Sequence, residues 1–567
     1  VIAAQLEKSH PATNNGVGFR VIPLQEFIVG NSRTSLLLLL ASTGLLLLIA
    51  CVNVTNIFLA RAIDRRREVA IRLALGATRL QMLRQSLCEC TVIALIGGAA
   101  GVFLATRLVS ALSWLLPAGH PNASRMTVDL QALAFTVAVS LISGIAFGLI
   151  AARNNIPDQL TPLLKEGPAT STGRAGQHRL WNVLVVAEIS LSLVLCIAAG
   201  LLMRSLIRLI NVDPGFDTSN ALVVSLRLNL PKYKETHKMI SFEREVMEKL
   251  SLVSEVKSAS LSTFVPLGGR YSPISLKVEG QLQNADAEAK VYLQSVSGSY
   301  FQMLNIPLRS GQLFSSSDGA EAPKVAIINE AAARQYFSGE DPLGKHIQLG
   351  GDSESSYTVL GIVGNARQMA LEKESEPEVF LPYEQSPWTQ YSLILKTNRN
   401  PMDAVQSVRS AIRAIDPDVP ITKISTMENM ISGSIMDRRL KATTFNIFAA
   451  LGAALAVVGL YGLLSYSVKR RTPEIGVRMA IGAQSSDVLR MIMKQGIVLI
   501  SIGVAIGLAF SFYVNRLLMG LLYGVSTTDL ITIFSICAFV TVTGLIACYI
   551  PARRASRVHP IIALRNQ

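Results

Sequence analysis

The chain has 567 residues, half of them hydrophobic and only 16% charged, with a mean hydropathy of +0.39 and a formal net charge of +14. Soluble globular domains carry about 25% charged residues, so the composition excludes an ordinary cytosolic enzyme, and its apolar content excludes a disordered chain. At ~150 residues per domain the length corresponds to three or four units.

The apolar residues fall in long runs. Residues 35–60, 130–152, 442–468, 495–515 and 530–552 are each uncharged over 21 to 27 positions, and a hydrocarbon core of ~30 Å needs about 20 helical residues. Two further runs, 90–116 and 181–203, carry one charge each, Arg107 and Glu188. The expectation is seven membrane spans. Orientation follows from the basic residues. Segment 61–86 holds seven arginines, 469–492 holds five Lys/Arg, and 153–180 and 553–567 hold four each, whereas 117–128 holds Arg125 alone and 523–528 holds none. Positive-inside counting places the four basic segments in the cytoplasm. Residues 211–440 carry 23 Lys/Arg against 27 Asp/Glu, and the rest of the chain 30 against 12. The basicity therefore belongs to cytoplasmic loops beside anionic lipid, and a nucleic-acid partner is not expected. The mildly acidic 211–440 segment reads as a domain on the outer side. An odd number of spans with the C-terminus inside puts the N-terminus outside. Since the chain starts at Val1, the expectation is a fragment lacking at least one upstream span, with eight spans in the intact protein.

The chain repeats itself. RREVAIRLALGATRLQMLR (residues 66–84) and TPEIGVRMAIGAQSSDVLR (residues 472–490) align at a constant offset of 406, pairing Glu68 with Glu474, Arg72 with Arg478 and Gly76 with Gly482. Gly97 and Gly101 pair with Gly503 and Gly507 at the same offset, and GIAFGLIAAR (144–153) resembles GLIACYIPAR (544–553). Both copies enter the shared loop from outside, so the repeats are parallel, which implies a pseudo-two-fold axis along the membrane normal. The expected order is the tail of a first outer domain (1–33), a three-span module (34–152), a cytoplasmic linker (153–180), a transmembrane stalk helix (181–209), an outer core domain (210–440) and a second three-span module (441–567). The stalk, at about 43 Å, is longer than the hydrocarbon layer.

Within the outer domain, β-branched and aromatic runs predict strands at 221–230, 291–295, 324–328, 357–363, 379–381 and 391–396, and amphipathic periodicity predicts helices at 238–252, 330–337 and 402–415. The mixture implies an α+β domain. All six cysteines lie in or beside spans, so the outer domain has no disulfide framework.

Several chemistries lack their motifs. No Walker A pattern is present, and 167–176 is a Gly/Ser/Thr-rich linker without GK[ST], so ATP hydrolysis would belong to another chain. The six histidines are scattered, and no metal or cofactor is expected. No G-x-S-x-G or H-E-x-x-H occurs, and no catalytic residue is assigned. The sharpest signal is the repeated cytoplasmic pattern. Glu68 with Arg72, and Glu474 with Arg478, are i, i+4 pairs on a helix, and Gly76 and Gly482 follow where a helix would end. Topology needs only positive charge. The same Glu-x-x-x-Arg-x-Ala-x-Gly-Ala pattern in both copies therefore favours a short helix at the membrane face that docks on a partner. Glu188 is an intramembrane carboxylate, a functional candidate by default, here read as more structural than functional. Asn53 and Asn56 are expected to form interhelical hydrogen bonds, and the paired glycines to permit close helix packing.

CVNVTNIFLARAIDRRREVAIRLALGATR (51–79) and VGLYGLLSYSVKRRTPEIGVRMAIGA (458–483) resemble, twice over, the transmembrane signature of the FtsX-like permease family in its MacB-type branch. IPARRASRVHPIIALR (550–565) resembles its C-terminal end, and SGSYFQMLNIPLRSGQLF (297–314), VAIINEAAARQYF (325–337) and DPLGK (341–345) its periplasmic core. The resemblance implies a polytopic inner-membrane protein with an α+β outer domain of MacB core type. It further implies the membrane subunit of an ABC-type complex, driven by a separate nucleotide-binding ATPase subunit and acting on an extracytoplasmic substrate, with 68–76 and 474–482 touching the ATPase. Envelope or outer-membrane partners are compatible with it. The duplication departs from the single-copy pattern and could replace a dimer by one chain. The alternative is an ATPase-independent envelope scaffold or binding protein. A secondary transporter fits poorly, because only Glu188 is a well-placed intramembrane ionisable group.

Overall fold

The computed structural model describes residues 5, 9, 22–23, 33–64, 71–72, 75–115, 129–155, 172–228, 230–268, 273–279, 289–337, 339–350 and 355–557. Glu68, nearly all of the expected 1–33 tail, the linker core 156–171 and the last ten residues lie outside them. The chain divides into two compact units, one of residues 1–204 with 441–567 and the other of residues 205–440.

The first unit opens with three helices, α1 (Arg33–Asp64), α2 (Arg79–Leu115) and α3 (Leu130–Asn155), followed by α4 (Thr172–Ile210). Helix α4 begins nine residues before the expected stalk. From Ser192 through Ala199 every residue on it is buried, as a helix apolar all round requires.

The second unit is built from two interleaved lobes. Strand β1 (Ala221–Arg227), helix α5 (Thr236–Ser251) and β2 (Val256–Ser262) form one βαβ unit. After them come β3 (Ile274–Val278), β4 (Ala289–Val296), the one-turn α6 (Tyr300–Met303), β5 (Leu308–Gly311), β6 (Val325–Asn329), α7 (Glu330–Tyr336), β7 (His346–Leu349), β8 (Ser356–Val363) and β9 (Glu378–Pro382). A second βαβ unit, β10 (Gln390–Thr397), α8 (Val405–Ile415) and β11 (Ile421–Thr426), completes the domain. The sheet order is β11-β1-β10-β2-β4-β3-β7-β8-β6-β9, with β5 on β8 and a further parallel pairing of β9 with β4. That last pairing closes β4-β3-β7-β8-β6-β9 into a ring, leaving β11-β1-β10-β2 as an open antiparallel sheet joined to it at Ser262–Val296.

The lobes have separate cores. Helix α5 lays Met239, Phe242, Val246 and Leu250 on the open sheet, and α8 adds Val408 and Ile412 beside them. These spacings are single faces of 3.6-residue helices. Inside the ring, β6 (VAIIN) and β9 (EVFLP) are buried throughout, as strands covered on both faces must be. Between the lobes, Phe301 and Phe380 meet edge-on at 5.0 Å, a geometry worth about 0.5–1.5 kcal/mol beyond the area buried. Fully buried Asn329 caps α7 by accepting from Ala332 N at 2.9 Å and accepts from Glu378 N at 3.0 Å.

The chain then runs without a break through α9 (Met427–Ala480), a helix of 54 residues, followed by α10 (Ser485–Leu518) and α11 (Leu530–Ala555). Among the described residues six helices are long and apolar enough to cross a membrane, namely α1, α2, α4, α9, α10 and α11. The seventh expected span is the 26-residue α3, whose described apolar part, Leu130–Ala146, is shorter. The two copies pack alike. A Cβ on Gly144 of α3 would meet Ala94 Cβ of α2 at 3.1 Å, and one on Gly544 of α11 would meet Ile500 Cδ1 of α10 at 2.9 Å. Ala94 and Ile500 are themselves 406 positions apart.

Candidate functional site

The two basic turns are built from the same parts. Helix α9 ends, and the chain before α2 turns, at glycines with φ of +108° (Gly482) and +96° (Gly76). An L-residue there crowds its own backbone, and since among the described residues nothing else lies within 4 Å of either ideal Cβ, the requirement is conformational. Ala77 N donates to Arg72 O at 3.0 Å and Ala483 N to Arg478 O at 3.0 Å, the long hydrogen bond of a Schellman ending. Reciprocal capping boxes start the next helices. Thr78 N donates to Gln81 Oε1 at 2.9 Å and Gln81 N to Thr78 Oγ1 at 3.3 Å, and Gln484 and Asp487 cap each other in the same way. Positions 78/484 and 81/487 match in the repeat though their residues differ, so the turn is shared as geometry as well as sequence.

Around each turn the arginine is exposed. Arg478 pairs with Glu474 at 2.6 Å, and Arg72 donates to Gln85 Oε1 at 3.1 Å. The segment carrying Glu474 and Arg478 is not the separate short helix expected from the sequence but the end of α9 itself. Lys469, Arg470 and Arg471 mark the exit from the apolar run without breaking a helix that Lys and Arg favour, and the helix stops only at Gly482. Sequence reasoning passed over the tips. Leu75 is 83% exposed and Ile481 81% exposed, again at matched positions. An aliphatic residue at the same place in both copies was the available signal.

Inside the membrane unit, Glu188 of α4 is 0% exposed. Asn53 of α1 donates from Nδ2 to Glu188 Oε1 and, at 3.1 Å, to Leu455 O of α9. A Cβ on Gly459 of α9 would meet Asn53 Oδ1 at 2.8 Å and would also run into the Glu188 carboxyl. Three helices thus converge on one polar contact, and the glycine makes room for it. Among the described residues Glu188 Oε2 has no hydrogen-bond partner, and Asn56 departs from expectation, with both amide atoms buried and unbonded there. Three residues on from Asn53, it is turned about 60° round the helix, away from the carboxylate. The glycine pairs also divide. A Cβ on Gly503 would meet Ile189 Cβ at 2.8 Å and one on Gly507 would meet Leu193 Cδ2 at 2.9 Å, both on α4, whereas among the described residues nothing lies within 4 Å of Gly97 or Gly101. No group of three His, Cys, Asp or Glu side chains suited to a metal occurs among the described residues.

Comparison with known proteins agrees with this double construction. The MacB-like periplasmic core domain matches residues 183–415, and the FtsX-like permease C-terminal domain matches twice, at 40–155 and 446–560. The pyoverdine export ATP-binding/permease protein PvdT of Pseudomonas aeruginosa is 26% identical over 56% of this chain and 48% of its own length. The macrolide export ATP-binding/permease protein MacB of Wolinella succinogenes is 27% identical over 48% of this chain and 43% of its own. The chain spans about half the length of the curated relatives it matches. The periplasmic region of MacB from Actinobacillus actinomycetemcomitans aligns with 41% of this chain and 98% of that structure at 18% identity, with a TM-score of 0.28. With a periplasmic-core domain set among apolar spanning helices and a permease domain present in two copies, this chain belongs to the FtsX-like, MacB-type permeases and is a multi-pass inner-membrane protein with an extracytoplasmic domain.

Proposed function

We propose that the chain is the membrane component of an ABC-type complex, in which a separate ATPase subunit drives movement of the outer domain for export or for handling an envelope substrate. The observation that carries this reading is the pair of Gly76 and Gly482 turns. Each has the same Schellman ending and capping box, and each presents an arginine and an exposed aliphatic tip. Two like fittings suit two copies of one partner, as a dimeric ATPase would supply. Helix α9 supports the coupling step, because one uninterrupted helix starts directly after β11 of the outer domain and ends at the Gly482 turn. The names of the relatives, each joining an ATP-binding part to a permease, are consistent with a nucleotide-binding partner and with export as the work done. Glu188 and Asn53 hold the helices together in this scheme and move no ion.

The test is charge reversal of both arginines, Arg72→Glu with Arg478→Glu. The doubly changed chain should insert normally and lose co-purification of a nucleotide-binding subunit. Unchanged capture, or a native pull-down free of any such subunit, would turn the assignment to an ATPase-independent envelope scaffold.

A further inference from the structure

The outer domain contains a cleft of about 650 Å³ between its two lobes, lined by α5 on one side and by the β4–α6 junction, the segment after β5 and the segment after β9 on the other. Cavities of 300–1,000 Å³ are the size that takes small molecules. Its wall sets Phe314, Val296 and Tyr383, all nearly covered by their neighbours, beside carboxylates from Glu243, Glu384 and Asp318.

The carboxylates are not equivalent. Glu384 is paired with Arg244 at 3.1 Å. Asp318 accepts from Ser315 N at 2.7 Å and closes its own turn. Glu243 is only 7% exposed and lines the cleft, yet among the described residues no hydrogen bond or ion pair reaches it. Arg244, its neighbour in sequence, points to Glu384 instead. A carboxylate so little exposed is costly without a partner, and here it borders the free volume of the cleft. A metal ion would want more ligands than this wall offers, since no metal-capable group of three occurs among the described residues.

We propose that this cleft binds a small organic monocation, an ammonium group pairing with Glu243 while its body fills the cleft beside Phe314. Three carboxylates against one guanidinium favour a cation. Two of the three carboxylates are already engaged, which limits it to a single charge at a single place. The assignment is independent of how the membrane unit is driven.

Phenethylamine is a suitable probe, with 2-phenylethanol as its uncharged counterpart, measured by equilibrium dialysis against the full chain in nanodiscs with empty nanodiscs subtracted. The amine should bind saturably at one site per chain, and the alcohol should not. Glu243→Gln should weaken the amine at least tenfold. Ser316→Trp, on the exposed rim, should block uptake while leaving Glu243 in place, which covers the case of a Glu243 variant that fails to fold. Burial, together with the nearby Glu384 charge and against that of Arg244, places the Glu243 carboxyl at about 7. Tyr383 and Tyr391, which also lie near it, are held neutral above the ordinary phenol range by burial. Amine affinity should therefore fall about tenfold between pH 8 and pH 6, because the carboxyl must lose its proton to pair. Absence of saturable binding, equal binding of amine and alcohol, or an unchanged affinity in Glu243→Gln would each overturn the proposal.

Discussion

Arg72 donates from Nη1 to Oε1 of Gln85 at 3.1 Å, reaching across the Gly76 turn to the helix that follows. At the matched place, Arg478 Nη1 lies 3.2 Å from Sδ of Met491. Gln85 and Met491 are also 406 positions apart, so each arginine lies back over its own turn and braces it. The thioether is the weaker acceptor, and in the second copy the Glu474 pair supplies the stronger contact.

Bracing leaves the tips free to act. Leu75 and Ile481 are almost fully exposed, so Leu75→Ser with Ile481→Ser should change stability by no more than about 0.5 kcal/mol. If the tips dock on the ATPase subunit, capture of that subunit should fall at least tenfold while the chain's melting in detergent stays put. Full capture by the doubly changed chain would show that the tips take no part in it.

The Asn53–Glu188 contact predicts a non-additive cycle. Asn53→Leu removes the donor to a buried carboxyl and should cost about 1–3 kcal/mol. Glu188→Leu should cost less, because Asn53 keeps its bond to Leu455 O. The double variant should be more stable than Asn53→Leu alone, with a coupling near the upper end of interhelical polar contacts, about 1–2 kcal/mol. Denaturant titrations of the four proteins in one detergent decide the matter, and simple additivity would mean that the contact contributes nothing.

The glycines predict an asymmetry that the repeat alone does not. Gly503 and Gly507 face Ile189 and Leu193 of α4 at distances that leave no room for a side chain, whereas Gly97 and Gly101 meet nothing within 4 Å among the described residues. Gly503→Leu should therefore abolish assembly of a monodisperse protein, and Gly97→Leu should be tolerated in this chain. Size-exclusion profiles of the two variants would show it, and equal damage at both sites would contradict the packing described.

Legibility followed the physics of each signal. The spans, the repeat and strands such as Ser356–Val363 and Gln390–Thr397 were readable because burial on both sides writes long apolar or β-branched runs. Val256–Ser262 (VKSASLS) was passed over because four of its seven residues are Ser or Lys, and what makes it a strand is its pairing with Gln390–Thr397. The six-stranded ring depends on the parallel pairing of Ala289–Val296 with Glu378–Pro382, some 80 residues apart, which no local pattern records. At the turns, Gly76 and Gly482 were read correctly as helix ends. The continuation of one helix from Met427 through Pro473 to Ala480 was not read, since charge and proline usually mark a boundary and here the helix ran through both.

Two buried carboxyl groups of the outer domain pull stability in opposite directions with pH. Burial raises Glu243 from 4.5 to about 7, helped by Glu384 and opposed by Arg244. The folded domain then holds a proton that the unfolded chain releases between pH 4.5 and 7, so stability should fall as pH rises through that window and level off above it, by at most about 3 kcal/mol. Burial also pushes Asp416 upward, but hydrogen bonds from Lys232 and Tyr233 and from the Asp418 backbone outweigh it and hold the carboxyl below 3.8. Its contribution is complete above that value and lost only as pH drops through the lowered one, so it adds no slope between 4.5 and 7. Asp217, brought to about 2 by Lys396 and Ser219 against its burial, behaves likewise. Glu243 is the group expected to give a slope in that window. Glu243→Gln should flatten it and leave the protein more stable than the native chain at pH 8, whereas Tyr233→Phe should lower stability by about 1.5–3 kcal/mol at every pH above 4.5. Hydrogen-exchange protection of the outer domain at pH 5, 6.5 and 8 measures both, and a slope that survives in Glu243→Gln would show that another group carries it.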